Sequence, residues 1–182
     1  MIYVETPRLV LRQWRERDVV PFTSMNADHR VMEYFPDIYS KEKTRSLVAR
    51  VSQDIIQNSW GFWAAERKDT GEFIGFIGIN PVREGVPFAP CVDIGWRLAV
   101  KHWQQGFATE GAKAALEYGF DCVGLDEIVS MTPVSNQASE NVMRKLGMRK
   151  ADHNFMHPRV SPEHPLCEHV LYRMTRKQWL TA

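Results

Sequence analysis

A glycine-containing turn between a predicted strand and a predicted helix is the first place in this sequence where chemistry could occur. Gln104-Gln105-Gly106-Phe107-Ala108 follows the strand and opens the helix. The first backbone N–H groups of a helix have no partner within it, and the helix dipole adds partial positive charge there. Gly106 and Ala108 have little or no side chain, so a phosphate or pyrophosphate could approach the backbone closely. Ordinary turn geometry is the alternative interpretation.

Two better-known phosphate-binding fingerprints are missing from the sequence. Neither GxxxxGK[ST] nor GxGxxG occurs, which disfavours a P-loop protein and a dinucleotide-binding protein of the Rossmann type. A nucleotide-binding module of another class stays open as an alternative.

The cysteine and histidine side chains are the candidate metal ligands of this sequence. Cys91, Cys122 and Cys167 form no CxxC pair, so the sequence supports neither a disulfide framework nor a zinc knuckle. Four histidines cluster late in the chain, at His153, His157, His164 and His169. Prolines separate them, and their spacing fits neither a helix face nor a common zinc motif. We therefore expect no metal site.

The elements that position these residues are predicted from hydrophobic periodicity and from cap and turn residues. Ser40 is the predicted N-cap of a helix over Lys41–Asn58. Other helices are predicted over 18–25, 28–34, 136–146 and from the glycine turn to residue 122. Strands are predicted over 8–13, 61–67, 72–81, 92–100, 127–132, 148–155 and 169–175. This order indicates an α+β or mixed α/β protein with one sheet covered by helices.

Composition excludes several classes of protein. The 182 residues carry 23 Lys and Arg against 22 Asp and Glu, a net charge of +1, whereas a DNA-binding surface normally shows a basic excess. No apolar run approaches the roughly 18 residues of a membrane span, and the first residues lack the basic and apolar regions of a secretory signal. An odd number of cysteines fits a reducing cytoplasm. We expect a cytoplasmic protein without a nucleic-acid or membrane partner.

Several motifs in a fixed order resemble one family. The glycine turn with Ala108-Thr109-Glu110, followed by Asn136-x-x-Ser139 and Lys145-Leu146-Gly147-Met148, resembles the GNAT N-acetyltransferase superfamily. The closest branch includes the ribosomal-protein N-terminal acetyltransferases. Its first strand is similar to Glu5-Thr6-Pro7-Arg8-Leu9-Val10-Leu11-Arg12, and its middle strands are similar to Phe73-Ile74-Gly75-Phe76-Ile77-Gly78 and Asp93-Ile94-Gly95-Trp96. The resemblance covers nearly the whole chain.

The resemblance implies a single domain over residues 1–182. Its central, mostly antiparallel sheet is splayed between strands four and five, flanked by helices, and binds acetyl-CoA in the splay. The backbone of Leu98 and Val100 is then expected at the pantetheine amides, and Asn136 at the pantetheine as well. The turn is expected at the pyrophosphate, with Gln104, Gln105, Gly106, Phe107, Ala108 and Thr109. Family members often have glycine where this chain has Gln104. A glutamine fits this position of the turn if its backbone φ angle is negative.

The implied chemistry is direct attack of an amine on the thioester in a ternary complex. A thioester is already activated, so no enzyme nucleophile is required, and Cys167 is expected to be dispensable. The amine must lose a proton, and Asp93 and Glu66 are the candidate bases. Ser139 is the candidate proton donor to the departing thiolate, with water as its rival. Each of the three could instead be structural: a solvated strand-end carboxylate, or a first-turn helix hydroxyl.

The identity of the acceptor is not encoded in any motif. A protein N-terminus and a small-molecule amine are both compatible with the sequence, and a homodimer is left open. A non-catalytic acyl-CoA-binding or regulatory module on the same fold is the main alternative function. Such a module would keep the glycine turn without a usable base or acid.

Overall fold

The strands form one mixed sheet in the computed structural model, which describes residues 1–181. The order across the sheet is β1-β2-β3-β4-β5-β6-β9-β7, and β8 pairs with β9. The strands are β1 (Ile2–Glu5), β2 (Leu9–Arg12), β3 (Phe62–Arg67), β4 (Phe73–Val82), β5 (Cys91–Leu98), β6 (Glu127–Pro133), β7 (Arg149–Lys150), β8 (Phe155–Met156) and β9 (Glu168–Thr175).

Five α-helices accompany the sheet: α1 (Val19–Asn26), α2 (Lys41–Asn58), α3 (Phe107–Glu117), α4 (Gln137–Lys145) and α5 (Arg176–Trp179). The predicted bounds of α2 are confirmed, because the Ser40 hydroxyl accepts the Lys43 N–H and the helix ends at Ser59 with a left-handed backbone. No helix within residues 1–181 is long and apolar enough to cross a bilayer.

The sheet opens between β5 and β6, which are parallel neighbours. The two strands pair only at Asp93 and Val129 within the described chain, and the Ser130 hydroxyl donates to the Ile94 carbonyl at 3.0 Å. All other adjacent pairs are antiparallel. This is the predicted splay between strands four and five, shifted by one in number because β1 was not predicted.

The carboxyl ends of β5 and β6 lie at the same edge of the sheet, since the two strands are parallel. Helix α3 follows β5 and helix α4 follows β6, so both helices begin at this edge. Helix α3 lies close to the sheet because Gly111 has no side chain, and a Cβ there would be 2.4 Å from the Ile77 side chain. The opening of the sheet is thus flanked by two helix N-termini, an arrangement that suits ligand binding.

Two predicted elements are wrong. Residues 28–34 form turns rather than a helix, because the Asp28 carboxylate accepts both the backbone N–H and the guanidinium of Arg30 and so competes with helical hydrogen bonds. The predicted strand over 148–155 is only the short β7 and β8. Two extra residues between the pairs Lys150–Tyr172 and Phe155–His169 interrupt the ladder with β9.

Candidate active site

The loop between β5 and α3 ends in an uncapped helix N-terminus. Gly106 is the N-cap with φ of 82°, and it supplies no side chain to the first turn. The Gly106 carbonyl accepts the Glu110 N–H and closes the first turn. The N–H groups of Phe107, Ala108 and Thr109 therefore have no partner from within the helix, and this arrangement can bind an anion.

Gln104 has φ of 58°, in the left-handed region. The negative φ under which Gln104 was expected to fit is therefore not observed. A left-handed backbone disfavours a residue with a Cβ by roughly 1–2 kcal/mol, which accounts for the glycine that family members often have there. The Gln104 side chain is exposed, so the turn accommodates it without a clash.

The loop is attached to the start of the chain. The Arg8 guanidinium donates to the Gln105 carbonyl at 2.9 Å and to the Glu110 carboxylate at 2.6 Å. Glu110 also accepts the Thr6 hydroxyl at 2.6 Å and the Arg8 N–H at 2.9 Å. The guanidinium lies 4.4 Å from the ring centre of Phe107. These contacts fix the first turn of α3, and no local pattern in the sequence predicts them.

One backbone edge of β5 faces the opening. The Ala99 N–H donates to a carbonyl of β4, whereas the Ile94 carbonyl accepts from β6. Because backbone groups alternate in direction along a strand, Trp96 and Leu98 direct theirs toward the opening between β5 and β6. Leu98 is among the residues predicted there, but Trp96 is not, although the two-residue alternation could have identified it.

The predicted strand over 92–100 ends at Leu98, and this changes the role of two residues. Val100 lies in a 3-10 turn, where its carbonyl accepts the Trp103 N–H at 3.0 Å. It therefore does not continue the strand edge, contrary to the expectation. The Leu98 carbonyl accepts the Trp103 indole N–H at 2.7 Å. Trp96 thus has the freer backbone groups on this edge.

The start of α4 holds Asn136 and Ser139 on the other side of the opening. The Asn136 side-chain oxygen caps the helix by accepting the Ser139 N–H at 3.1 Å. Its amide nitrogen donates to the Thr132 hydroxyl at 2.9 Å and to the Ser139 hydroxyl at 3.2 Å. The Ser139 oxygen is an acceptor here, so its own proton is free to be donated.

Asp93 lies where β5 and β6 make their single pair. Its Oδ1 is buried and has no hydrogen-bond partner among residues 1–181. Burial raises the pKa of Asp93 from 3.8 to about 7, while the Asn80 side chain and the charge of Arg50 oppose that rise. A carboxylate that exchanges its proton near neutral pH has the property required of a general base.

Glu66 is at the opposite end of the sheet and is surrounded by arginines. It accepts from Arg12 at 2.7 Å and from Arg15 and Arg17 at 3.2 Å. Glu66 pairs with Phe73 of β4, whereas Asp93 pairs with Asn80 of the same strand. Seven residues of strand span about 23 Å, so the two candidate bases cannot serve one reacting amine.

Cys167 is nearly inaccessible and its thiol points to the backbone. The side chain is 1% exposed, and Sγ lies 3.5 Å from the Val160 carbonyl and 3.8 Å from that of His157. The flanking His169 ring contacts the Cys167 carbonyl, not the sulfur. In the described part of the chain, no group of three or more His, Cys, Asp or Glu side chains is placed to hold a metal ion.

Comparison with known proteins agrees with this geometry. The family model of the acetyltransferase (GNAT) domain matches residues 8–149. The uncharacterized N-acetyltransferase YoaA of Bacillus subtilis is 31% identical over 150 residues, which are 81% of this chain and 82% of that protein.

Two solved structures share the fold. The GNAT-family acetyltransferase from Bacillus anthracis has a TM-score of 0.80 and 23% identity, with 97% of this chain and 99% of that chain covered. RimL, a ribosomal L7/L12 alpha-N-protein acetyltransferase solved with coenzyme A, has a TM-score of 0.77 and 17% identity over 98% of this chain and 99% of that chain. The chain therefore belongs to the GNAT family of N-acetyltransferases.

Proposed function

We propose that the protein transfers an acetyl group from acetyl-CoA to a primary amine, by direct attack in a ternary complex. The observation that carries the proposal is the convergence of three features on one opening. An uncapped helix N-terminus and an unpaired strand edge flank it, and a buried carboxyl with a pKa of about 7 lies at its closed end.

The residues at the opening fit the parts of the CoA molecule. The amides of Gln105, Gly106, Ala108 and Thr109 suit the pyrophosphate, because the first turn has no competing cap and Gly106 has no Cβ to hold a phosphate away. The backbone of Trp96 and Leu98 suits the pantetheine amides. Asn136 faces the same arm from the start of α4.

Asp93 and Ser139 supply the proton transfers. Asp93 accepts the proton that the attacking amine must lose, and the new N–C bond forms as the C–S bond breaks. The Ser139 hydroxyl donates a proton toward the thiolate, and a backbone N–H on the open edge of β5 stabilises the oxyanion. Glu66 has no part in this scheme, because its carboxylate is held by three arginines two strands away.

Release of free thiol from acetyl-CoA across a panel of amines and peptides tests the proposal. We expect release that depends on both substrates and CoA binding that ATP does not compete for. Tight CoA binding without turnover on any amine would favour a non-catalytic acyl-CoA-binding module instead. The three free cysteines fit a reducing cytoplasm, which is the proposed compartment.

A further inference from the structure

Arg97 is a buried cation with no acidic partner among residues 1–181. Its side chain lies on the face of β5 that also carries Asp93, since the two are four residues apart on one strand. It is 8% exposed. Nη1 donates to the Asn26 side-chain oxygen at 2.8 Å, and Nε is buried without any partner in residues 1–181.

Aromatic rings surround the guanidinium of Arg97. Its central carbon lies 4.1 Å from the ring centre of Phe35, 5.2 Å from Tyr39 and 5.5 Å from Phe76. Ring faces attract a cation, but they do not replace the hydrogen bonds that its N–H groups lose on burial. Asn26 and the Tyr39 side chain satisfy part of the guanidinium, whereas Nε has no acceptor among residues 1–181.

Helix α2 adds positive charge along the same face. The Lys43 ammonium lies 4.0 Å from the ring centre of Tyr39, on which Arg97 also packs. Arg50, two turns further along the helix, is the cation whose charge acts on Asp93. Within residues 1–181 neither α2 cation forms a salt bridge, whereas Arg45 of the same helix pairs with Glu16.

We propose that the acceptor amine carries a carboxylate, and that Arg97 binds it while the amine lies at Asp93. This inference rests on the proposed function and names the substrate class of that site. A carboxylate supplies the acceptor that Nε lacks, and Lys43 and Arg50 favour the same negative charge. A polyamine is disfavoured, because Arg97, Lys43 and Arg50 repel a cation, and burial keeps Asp93 largely protonated below neutral pH.

The spacing of Arg97 and Asp93 limits the length of the acceptor. Four residues of strand separate their Cα atoms by about 13 Å. An extended peptide spans at most ~3.3–3.6 Å per residue, so three residues cover about 10–11 Å, and a hydrogen bond of about 2.9 Å at each end accounts for the rest. The carboxylate is therefore not on the carbon that bears the amine.

Trialanine and its C-terminal amide form the test pair, because they differ in one charge. We expect the wild-type kcat/KM to be at least ~10-fold higher for the free acid, as charge-assisted hydrogen bonds predict. Dialanine, which is too short, should show a smaller preference. In Arg97→Gln the preference should fall to about twofold or less, with the dissociation constant of acetyl-CoA unchanged.

Arg45→Gln is the matched control, since it removes an α2 cation that is paired away from this face, and it should keep the preference. Equal wild-type rates for acid and amide would overturn the proposal, as would faster transfer to spermidine than to trialanine. These comparisons use the wild-type protein and stay decisive if Arg97→Gln fails to fold. Acetyl-CoA binding without transfer to any amine would overturn the proposed function itself.

Discussion

Two carboxylic acids illustrate how residue environment, rather than residue type, selects a catalytic group. Asp93 and Glu66 are both acidic residues near strand ends, and the sequence offers no way to rank them. The structure gives Glu66 three arginine partners, while one Asp93 oxygen is buried and unpartnered. Desolvation favours the neutral acid and so moves the Asp93 pKa toward the working range of a base.

Asp93→Asn is expected to remove the base. Wild-type kcat/KM should fall with decreasing pH below about 7, where Asp93 becomes protonated. The variant should lose ~100-fold or more in rate and lack this limb of the pH profile. Deprotonation of the acceptor amine adds a second limb, which the wild-type and variant pH profiles share. Glu66→Gln is the control and should keep the acidic limb. Loss of that limb in Glu66→Gln, with its retention in Asp93→Asn, would assign the base to Glu66 instead.

The same substitution has an expected effect on stability. Because the folded-state pKa of Asp93 is raised above 3.8, the folded protein binds more protons than the unfolded chain between pH 4 and 7. Wild-type stability is therefore lost as pH rises through that window. Asp93→Asn should become the more stable protein above pH 7, by up to roughly 4 kcal/mol. Urea unfolding at pH 4.5 and pH 8 measures the difference, and a pH-independent difference would contradict it.

Ser139→Ala tests the proton donor. We expect a ~10- to 100-fold lower turnover, because water can partly replace one donor. Acetyl-CoA affinity should stay nearly constant, since Asn136 still caps α4 through the Ser139 backbone N–H. Unaltered turnover would mean that Ser139 has only a structural role in α4 and that water donates the proton to the thiolate.

At the N-terminus of α3, the left-handed backbone of Gly106 coincides with the site proposed for the CoA pyrophosphate. Gly106→Val should weaken CoA binding more than tenfold, or about 1.4 kcal/mol, by placing a branched side chain beside the amides. Gly124→Val controls for backbone strain, because Gly124 has φ of 79° and a Cβ there meets no atom closer than 3.9 Å. Calorimetry should show an affinity loss only in the first variant. An equal loss in both would assign the effect to strain.

Local patterns predicted some elements and not others for physical reasons. The bounds of α2 follow from Ser40 and from helical periodicity, both of which are local. The same reasoning wrongly predicts a helix over residues 28–34, because the Asp28 carboxylate accepts the Arg30 N–H and so competes with the helical hydrogen bond. The φ of Gln104 is also beyond local reasoning, since the turn that imposes it depends on where β5 ends and α3 begins.

Across the whole molecule, contacts between distant segments account for what the sequence could not show. Thr6 and Arg8 meet Glu110 more than a hundred residues later, which explains why two separate motifs of the resemblance occur together. The order of motifs sufficed to predict the family and the splayed sheet, whereas the region of the cofactor site stays a prediction. The Arg97 environment joins α1, β4, β5 and the α1–α2 connection, and no periodicity encodes such a meeting.

The proposed mechanism transfers the acetyl group directly from acetyl-CoA to an amine, without an acetylated enzyme. Steady-state rates with both substrates varied test it most directly, together with mass spectrometry of the protein after exposure to acetyl-CoA. The buried, backbone-bonded thiol of Cys167 predicts intersecting double-reciprocal lines, no acetyl group on the protein, and most of the activity retained in Cys167→Ser. Parallel lines with an acetyl group on Cys167 would contradict the account.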